Sequence, residues 1–128
     1  MHQLLRTLPV GSRVLDLGCA AGSFEFEGNS FSVVRIDLDR GALHSPNSAR
    51  ADAARLPFRD AFFDVIISNH SLEHFENLPA SLHEIGRVLK PKGAIYVAVL
   101  FQTGYMGGWR GAAVTSILFD PPGSLPRK

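Results

Sequence analysis

An acid inside an apolar strand, with glycine two residues later and a second glycine four residues beyond that, is a pattern suited to holding a ligand. In Val14-Leu-Asp-Leu-Gly-Cys-Ala-Ala-Gly-Ser-Phe24 the acid is Asp16 and the glycines are Gly18 and Gly22. Glycine lets the backbone bend, and approach a bound molecule, where a Cβ would block it. An unpaired charge at Asp16 would be costly among its apolar neighbours. Its carboxylate is therefore expected to bond backbone amides of the glycine bend, or to meet a ligand amino group through water. Residues 13–17 suit a central parallel strand. In an open α/β sheet the loop after the first strand opens at the topological switch point, where ligands sit outside the carboxyl ends of the strands.

Glycine-containing strand-to-helix bends also serve dinucleotides. Their fingerprint needs glycine at the first, third and sixth positions, and counted from Gly18 those positions hold Gly18, Ala20 and Ser23. Two of the three fail, which leaves a nicotinamide-dependent oxidoreductase as a minor reading.

Those residues need a frame, and the composition supplies one. The chain has 128 residues, 45% of them hydrophobic and 20% charged, which suits one globular domain over residues 1–128. Thirteen Lys and Arg against twelve Asp and Glu leave a net charge of +1. There is no basic run to suggest a nucleic-acid face or an anionic membrane surface. No stretch approaches the roughly 20 apolar residues of a membrane helix, and no cluster reads as a metal site. The single cysteine, Cys19, fits a small buried side chain in a reducing compartment better than a nucleophile. A soluble, cytoplasmic protein is expected.

Residues 2–8 carry Leu4, Leu5 and Leu8 at helical spacing, ended by Pro9 and Gly11. Only residues 23–27 can be helical after the bend, a short first crossover. Residues 32–38 are rich in β-branched side chains and end at an acid, Asp37, as a second parallel strand would. The link over residues 40–47 holds Gly41 and Pro46, so the third strand, within residues 48–51, should be short and at the sheet edge. Residues 62–68 read as a fourth strand whose continuous Val65, Ile66 and Ile67 imply cover on both faces. Asn77 can cap a helix with Pro79 in its first turn. Leu78, Leu82, Ile85 and Leu89 would mark its apolar face, with Pro91 and Gly93 as its stop. Residues 94–101 would form the fifth strand, apolar on both faces.

The order of the segments around Gly18, Asp37, Asp52, Phe63 and Glu84 resembles the successive motifs of the type 11 family of class I S-adenosylmethionine-dependent methyltransferases. Asp-Leu-Gly-Cys-Ala-Ala-Gly is similar to that family's acid-x-Gly-x-Gly-x-Gly signature, with Ala20 in place of the middle glycine. Leu-Pro-Phe, Phe-Asp-Val and Glu-Ile-Gly-Arg-Val-Leu-Lys-Pro-Lys-Gly carry the resemblance further. It implies a cofactor site made by Asp16, Gly18, Cys19, Ala20 and Gly22 of the bend, with five further residues. Asp37 would accept hydrogen bonds from both ribose hydroxyls, whereas Asp39 reads as a solvated acid. Leu38 would pack on the adenine face. Asp52 would reach the adenine amino group with the Ala53 backbone alongside; the competing reading of Asp52 is a backbone cap. Asn69, at the end of the fourth strand, would meet the methionine portion, with a turn-forming role as its alternative. His70, Glu73 and His74 follow that strand, and a general base is needed only where the acceptor must lose a proton. Asp120-Pro-Pro is similar to the tetrapeptide of adenine-amino methyltransferases but stands far from the fourth strand, where that motif belongs.

The resemblance implies a Rossmann-like three-layer α/β domain, mostly parallel, strand order 3-2-1-4-5, with an atypical carboxyl-terminal part. It implies methyl transfer from S-adenosyl-L-methionine, most simply to a small-molecule acceptor. The competing class is a non-catalytic cofactor-binding or partner-regulating domain, because the family usually continues through two further strands. The outer edge of the fifth strand must then be covered. Residues 114–119 could return antiparallel within the chain, or a homodimer could form through that edge.

Overall fold

The computed structural model describes residues 5–18, 31–38, 47–69, 71–102 and 109–118. Six strands form one sheet: β1 (Arg13–Leu17), β2 (Ser32–Asp37), β3 (Ser48–Arg50), β4 (Phe63–Asn69), β5 (Leu89–Gln102) and β6 (Trp109–Leu118). Their order is β3-β2-β1-β4-β5-β6. The first five are parallel, and β1 lies at the centre, its Asp16 level with Arg35 of β2 and Ile67 of β4. The change of direction expected between β1 and β4 is therefore present, and β3 is a three-residue edge strand.

Side chains alternate across a strand, so a strand covered on both faces feeds two cores. Leu15, Leu17, Ile66 and Phe63 join Ile85 and Val88 on one face. Val14, Val33, Val65 and Ile67 join Leu5 on the other, with Leu8 and Phe31 packed against them. Ile95 and Val97 of β5 fall in the first cluster and Ala94 and Tyr96 in the second.

A single α-helix, α1 (Leu78–Val88), lies among the described residues of the first face, preceded by a 3-10 turn at Leu72–His74. Asn77 caps α1 as expected, its Oδ1 accepting the Ala80 N–H at 3.1 Å. The buried face differs from the expected one. Ser81, Ile85 and Val88 are buried, whereas Leu78 and Leu82 are 40% and 50% exposed. The helix is turned so that its amino-terminal half presents the small Ser81, rather than a leucine, to the sheet end.

The stop of α1 also differs. The helix ends at Val88, and β5 begins at once at Leu89, paired with Phe63. Pro91 and Gly93 therefore lie inside the strand, in an irregularity between the Phe63 and Val65 registers where Lys92 takes φ 64°. The last helical carbonyls are used by the chain entering β4: Ala61 N donates to Arg87 O at 2.9 Å and Phe62 N to Val88 O at 2.8 Å.

The edge of β5 is filled from within the chain. β6 pairs antiparallel with it from Gln102↔Trp109 to Ala94↔Leu118, starting earlier than the expected residue 114. The edge through which a homodimer was expected as the alternative is thus occupied.

Candidate functional site

The local frame of the site rests on a polar knot beneath α1. Arg87 donates five hydrogen bonds: Nε to Glu84 Oε2 at 2.5 Å, Nη2 to Glu84 Oε1 at 3.1 Å, Nη1 to Asp60 Oδ1 at 2.8 Å, and two to the carbonyls of Phe58 and Leu56 at 2.7 and 2.9 Å. Glu84 Oε1 also accepts the Leu56 N–H at 3.0 Å. The hydrogen bond from Arg87 holds the Glu84 carboxyl below its ordinary range; burial opposes this and the Leu56 amide adds to it. The same bonds, to Glu84 first and Asp60 next, push the Arg87 guanidinium further up. Leu-Pro-Phe and Glu-Ile-Gly-Arg are thus two halves of one clamp. It fixes the loop that leaves the sheet edge after β3, and Phe58 then stacks against Phe62 and edge-on to Phe63.

Above this frame, at the carboxyl ends of β1, β2 and β3, lies a cavity of about 650 Å³. That is within the roughly 300–1,000 Å³ of small-molecule sites. Its walls include Leu17 and Gly18 after β1, Asp37 and Leu38 after β2, Arg50 at the end of β3, and Asp52 and Ala53 in the loop that follows. Ser71, His74 and Phe75 close it from the segment after β4, and Asn77 and Ser81 from the start of α1.

Five of the residues singled out from the sequence, Gly18, Asp37, Leu38, Asp52 and Ala53, therefore meet around one space. Leu38 is 53% exposed, an apolar side chain offered to the cavity rather than to a core. Its carbonyl accepts Arg50 Nε at 2.9 Å, which fixes the backbone after β2. Asp52 Oδ1 accepts the Ala54 N–H at 2.9 Å, so the capping reading of this acid is met as a turn rather than a helix. Gly18 has φ 69°, and its N–H donates to Ile36 O at 2.9 Å.

Asp16 and Asn69 stand outside the cavity wall. Asp16 is fully buried, with Arg35 Nε 3.4 Å from its Oδ2. An arginine across the strand pair, absent from the expectations for Asp16, thus faces its charge. Asn69 is half-buried at the end of β4, opposite Ala98. Cys19, Ala20 and Gly22 lie outside the described residues, as do Asp39, His70 and Asp120. Of the candidate bases, His74 is described: it is exposed and lines the cavity.

Arg50 and Ser71 are among the cavity residues that the sequence did not single out. Arg50 gave no signal beyond its place at a strand end. Ser71 donates to Leu17 O at 2.8 Å and lies 2.6 Å from Ser68 Oγ, both serines being buried. Two serines three residues apart after an apolar strand are the trace it left.

The family model described as "Methyltransferase domain", type 11, matches residues 15–97, more than half of the chain. The chain belongs to this family of methyltransferase domains. S-adenosylmethionine is the cofactor that this membership implies.

Among curated proteins, the chain is 33% identical over 109 residues to demethylmenaquinone methyltransferase of Mycobacterium tuberculosis, a match covering 74% of this chain and 47% of that protein. It is 35% identical over 91 residues to the uncharacterized protein MJ0638 of Methanocaldococcus jannaschii, covering 68% and 40%. The chain thus spans less than half the length of these relatives. Among solved structures, YcgJ of Bacillus subtilis shares the fold with TM-score 0.69 at 22% identity, over 78% of this chain and 50% of that one. The [4+2]-cyclase SpnF matches with TM-score 0.63 at 27% identity, over 73% and 40%.

The residues present fit the implied cofactor. The cavity pairs a strand-end acid with an exposed apolar side chain.

Proposed function

We propose that the chain binds S-adenosylmethionine at the carboxyl ends of β1, β2 and β3 and serves methyl transfer to a small-molecule acceptor. The observation that carries this reading is the meeting of Gly18, Asp37, Leu38, Asp52 and Ala53 around one cavity. Asp37 would accept hydrogen bonds from the ribose hydroxyls, and bonds to a charged acceptor contribute about 1.5–3 kcal/mol net. Leu38 would cover one face of the adenine, while Asp52 and the Ala53 backbone would address its polar edge. Gly18, with Cys19, Ala20 and Gly22, would pass close to the methionine portion. Asp16 and Asn69 would act from behind that bend.

The bound cofactor supplies a methyl group on a positively charged sulfur, a good leaving group. What remains for the chain is to align the acceptor, since positioning alone can supply several kcal/mol of a displacement barrier. His74, on the cavity wall, is a side chain able to take a proton from an acceptor that must lose one. A small-molecule acceptor is favoured by a relative whose name specifies demethylmenaquinone. The second reading, a cofactor-binding domain without methyl transfer, is favoured by the similarity to a chain solved as a [4+2]-cyclase.

Calorimetric titration with S-adenosylmethionine, S-adenosylhomocysteine and reduced nicotinamide dinucleotide tests the first step. Binding of the first two alone is expected, with about 2.7 kcal/mol of added stability at 100 times the dissociation constant. No binding or thermal shift at millimolar ligand would sink the proposal. Methylated product formed in a cell extract would separate transfer from mere binding.

A further inference from the structure

We infer that Ser71 is a positioning residue for the cofactor-binding bend, acting through the Leu17–Gly18 peptide group. The inference rests on the reading that this crevice holds S-adenosylmethionine. That peptide is held on both sides: its N–H donates to Ile36 O at the end of β2, and its carbonyl accepts the Ser71 hydroxyl from the segment after β4. In a trans peptide these two groups point in opposite directions. The plane from which the bend departs is therefore fixed between the two strands flanking β1.

The direction of the hydroxyl chain follows from proton count. A serine has one proton to donate. Ser71 gives its own to Leu17 O, so in the 2.6 Å contact with Ser68 it is Ser68 that donates. The result is a chain, Ser68 to Ser71 to Leu17, closed to solvent on β4 and beside it. Hydrogen bonds in such a series polarise one another, and an unmade one is costly in the same surroundings.

Ser71 also dictates what can stand opposite it. A Cβ added to Gly18 would collide with Ser71 Cβ and come within 2.8 Å of Ser71 Oγ, at a backbone φ of 69° that side chains disfavour. The serine and the glycine are complementary. Because the chain runs on from Ser71 into the turn that carries His74 and Phe75 onto the same cavity, one hydroxyl ties the Leu17–Gly18 peptide to the opposite wall.

The test compares Ser71→Ala with Ser12→Ala. Ser12 is equally buried and donates to Pro9 O at 2.7 Å, but it stands at the other end of β1, away from the cavity. Two quantities are read where each variant is fully folded: the dissociation constant for S-adenosylmethionine, and amide hydrogen exchange at Gly18 without ligand. Ser71→Ala is expected to weaken binding roughly 3- to 10-fold and to speed Gly18 exchange. Ser12→Ala should lower the melting temperature while changing neither. Should Ser71→Ala fail to fold, Ser68→Ala, which removes only the upstream donor, must shift both quantities the same way by a smaller factor. Wild-type protein that binds while Ser71→Ala matches it in affinity and exchange overturns this inference alone. Equal effects of Ser12→Ala and Ser71→Ala also overturn it, reducing Ser71 to general stability. Wild-type protein that does not bind overturns the proposed function, and this inference with it.

Discussion

The two ends of α1 carry polar groups to opposite purposes. At the carboxyl-terminal end every contact is internal: Arg87 is surrounded by Glu84, Asp60 and two backbone carbonyls, and Glu84 holds the Leu56 amide in return. At the amino-terminal end Asn77 and Ser81 border a cavity whose other walls offer Asp37, Asp52 and the exposed Leu38. Each end meets stretches by which the chain resembles its family, Leu56 to Phe58 at the one and the segments of Asp37 and Asp52 at the other. One holds the frame together, and the other presents groups to a space large enough for a ligand. Resemblance of motif alone does not separate the two uses; the destination of each hydrogen bond does.

The sharpest way to break this contrast is at Gly18. Gly18→Ala combines a left-handed backbone with a collision against Ser71, and the two costs together come to about 3 kcal/mol. Both the melting temperature and cofactor affinity should fall. Gly11→Ala is the control: it has φ 82° but nothing within 4 Å of the added carbon. It should cost about 1 kcal/mol and leave affinity alone. If the two alanine variants behave alike, the collision at the cavity wall carries no weight.

Arg87→Ala and Asp37→Ala should then separate frame from site. The first strands the Leu56 and Phe58 carbonyls and the Glu84 carboxylate, for a loss of about 2 kcal/mol of stability by chemical denaturation. Cofactor affinity, measured where the variant is folded, should change much less, because Asp52 keeps its own turn through the Ala54 amide. Asp37→Ala should do the reverse, weakening binding by roughly 30-fold with the melting temperature nearly unchanged. A variant that moves both quantities together would show that the two ends of the helix are not independent.

Much of the fold was legible because strand and turn signals are local. Val65 to Ile67 announces a strand covered on both faces, Asn77 and Pro79 announce a helix start, and β3 is short because its approach holds Gly41 and Pro46. The order of the first five strands came from the family resemblance, the glycine bend itself pointing only to a central β1 at the switch point. What escaped depends on partners distant in sequence. The apolar face of α1 was misplaced because Leu78, Leu82, Ile85 and Leu89 share a helical period with the true line through Ser81, Ile85 and Val88. Packing of Ile85 and Val88 into the core with Phe63 and Ile66 decides which line turns inward. The strand β5 begins before Pro91 because Leu89 finds Phe63 across the sheet, a pairing no breaker rule contains. Arg35 against Asp16, and Ser71 against Leu17, join residues 19 and 54 positions apart. At the cavity stand Asp37, a strand-end acid, and Leu38, Asp52 and Ala53, which the family resemblance singled out. Arg50 and Ser71 were missed because their roles lie in which carbonyl they hold.

The smallest expected effect is a pH slope confined to the frame. The Arg87 hydrogen bond holds the folded-state carboxyl of Glu84 below its ordinary value, so the unfolded chain takes up this proton more readily than the folded one. The stability it contributes is therefore complete above the ordinary carboxylate range, near pH 4.5. It is lost as the pH falls below that value and through the lower folded one. Arg87, shifted upward, is charged in both states throughout this window and adds no slope of its own. A single proton limits the slope to about 1.4 kcal/mol per pH unit. Denaturation followed from pH 6 down to pH 3 should show this loss, and Glu84→Gln, whose Oε1 can still accept from Arg87 and Leu56, should flatten part of it. Affinity for S-adenosylmethionine at pH 6 and above should not distinguish the variant from wild type, because Glu84 faces the clamp rather than the cavity. A variant with the wild-type slope would place the acid sensitivity elsewhere, and a weakened affinity would mean that the clamp beneath α1 reaches into the site.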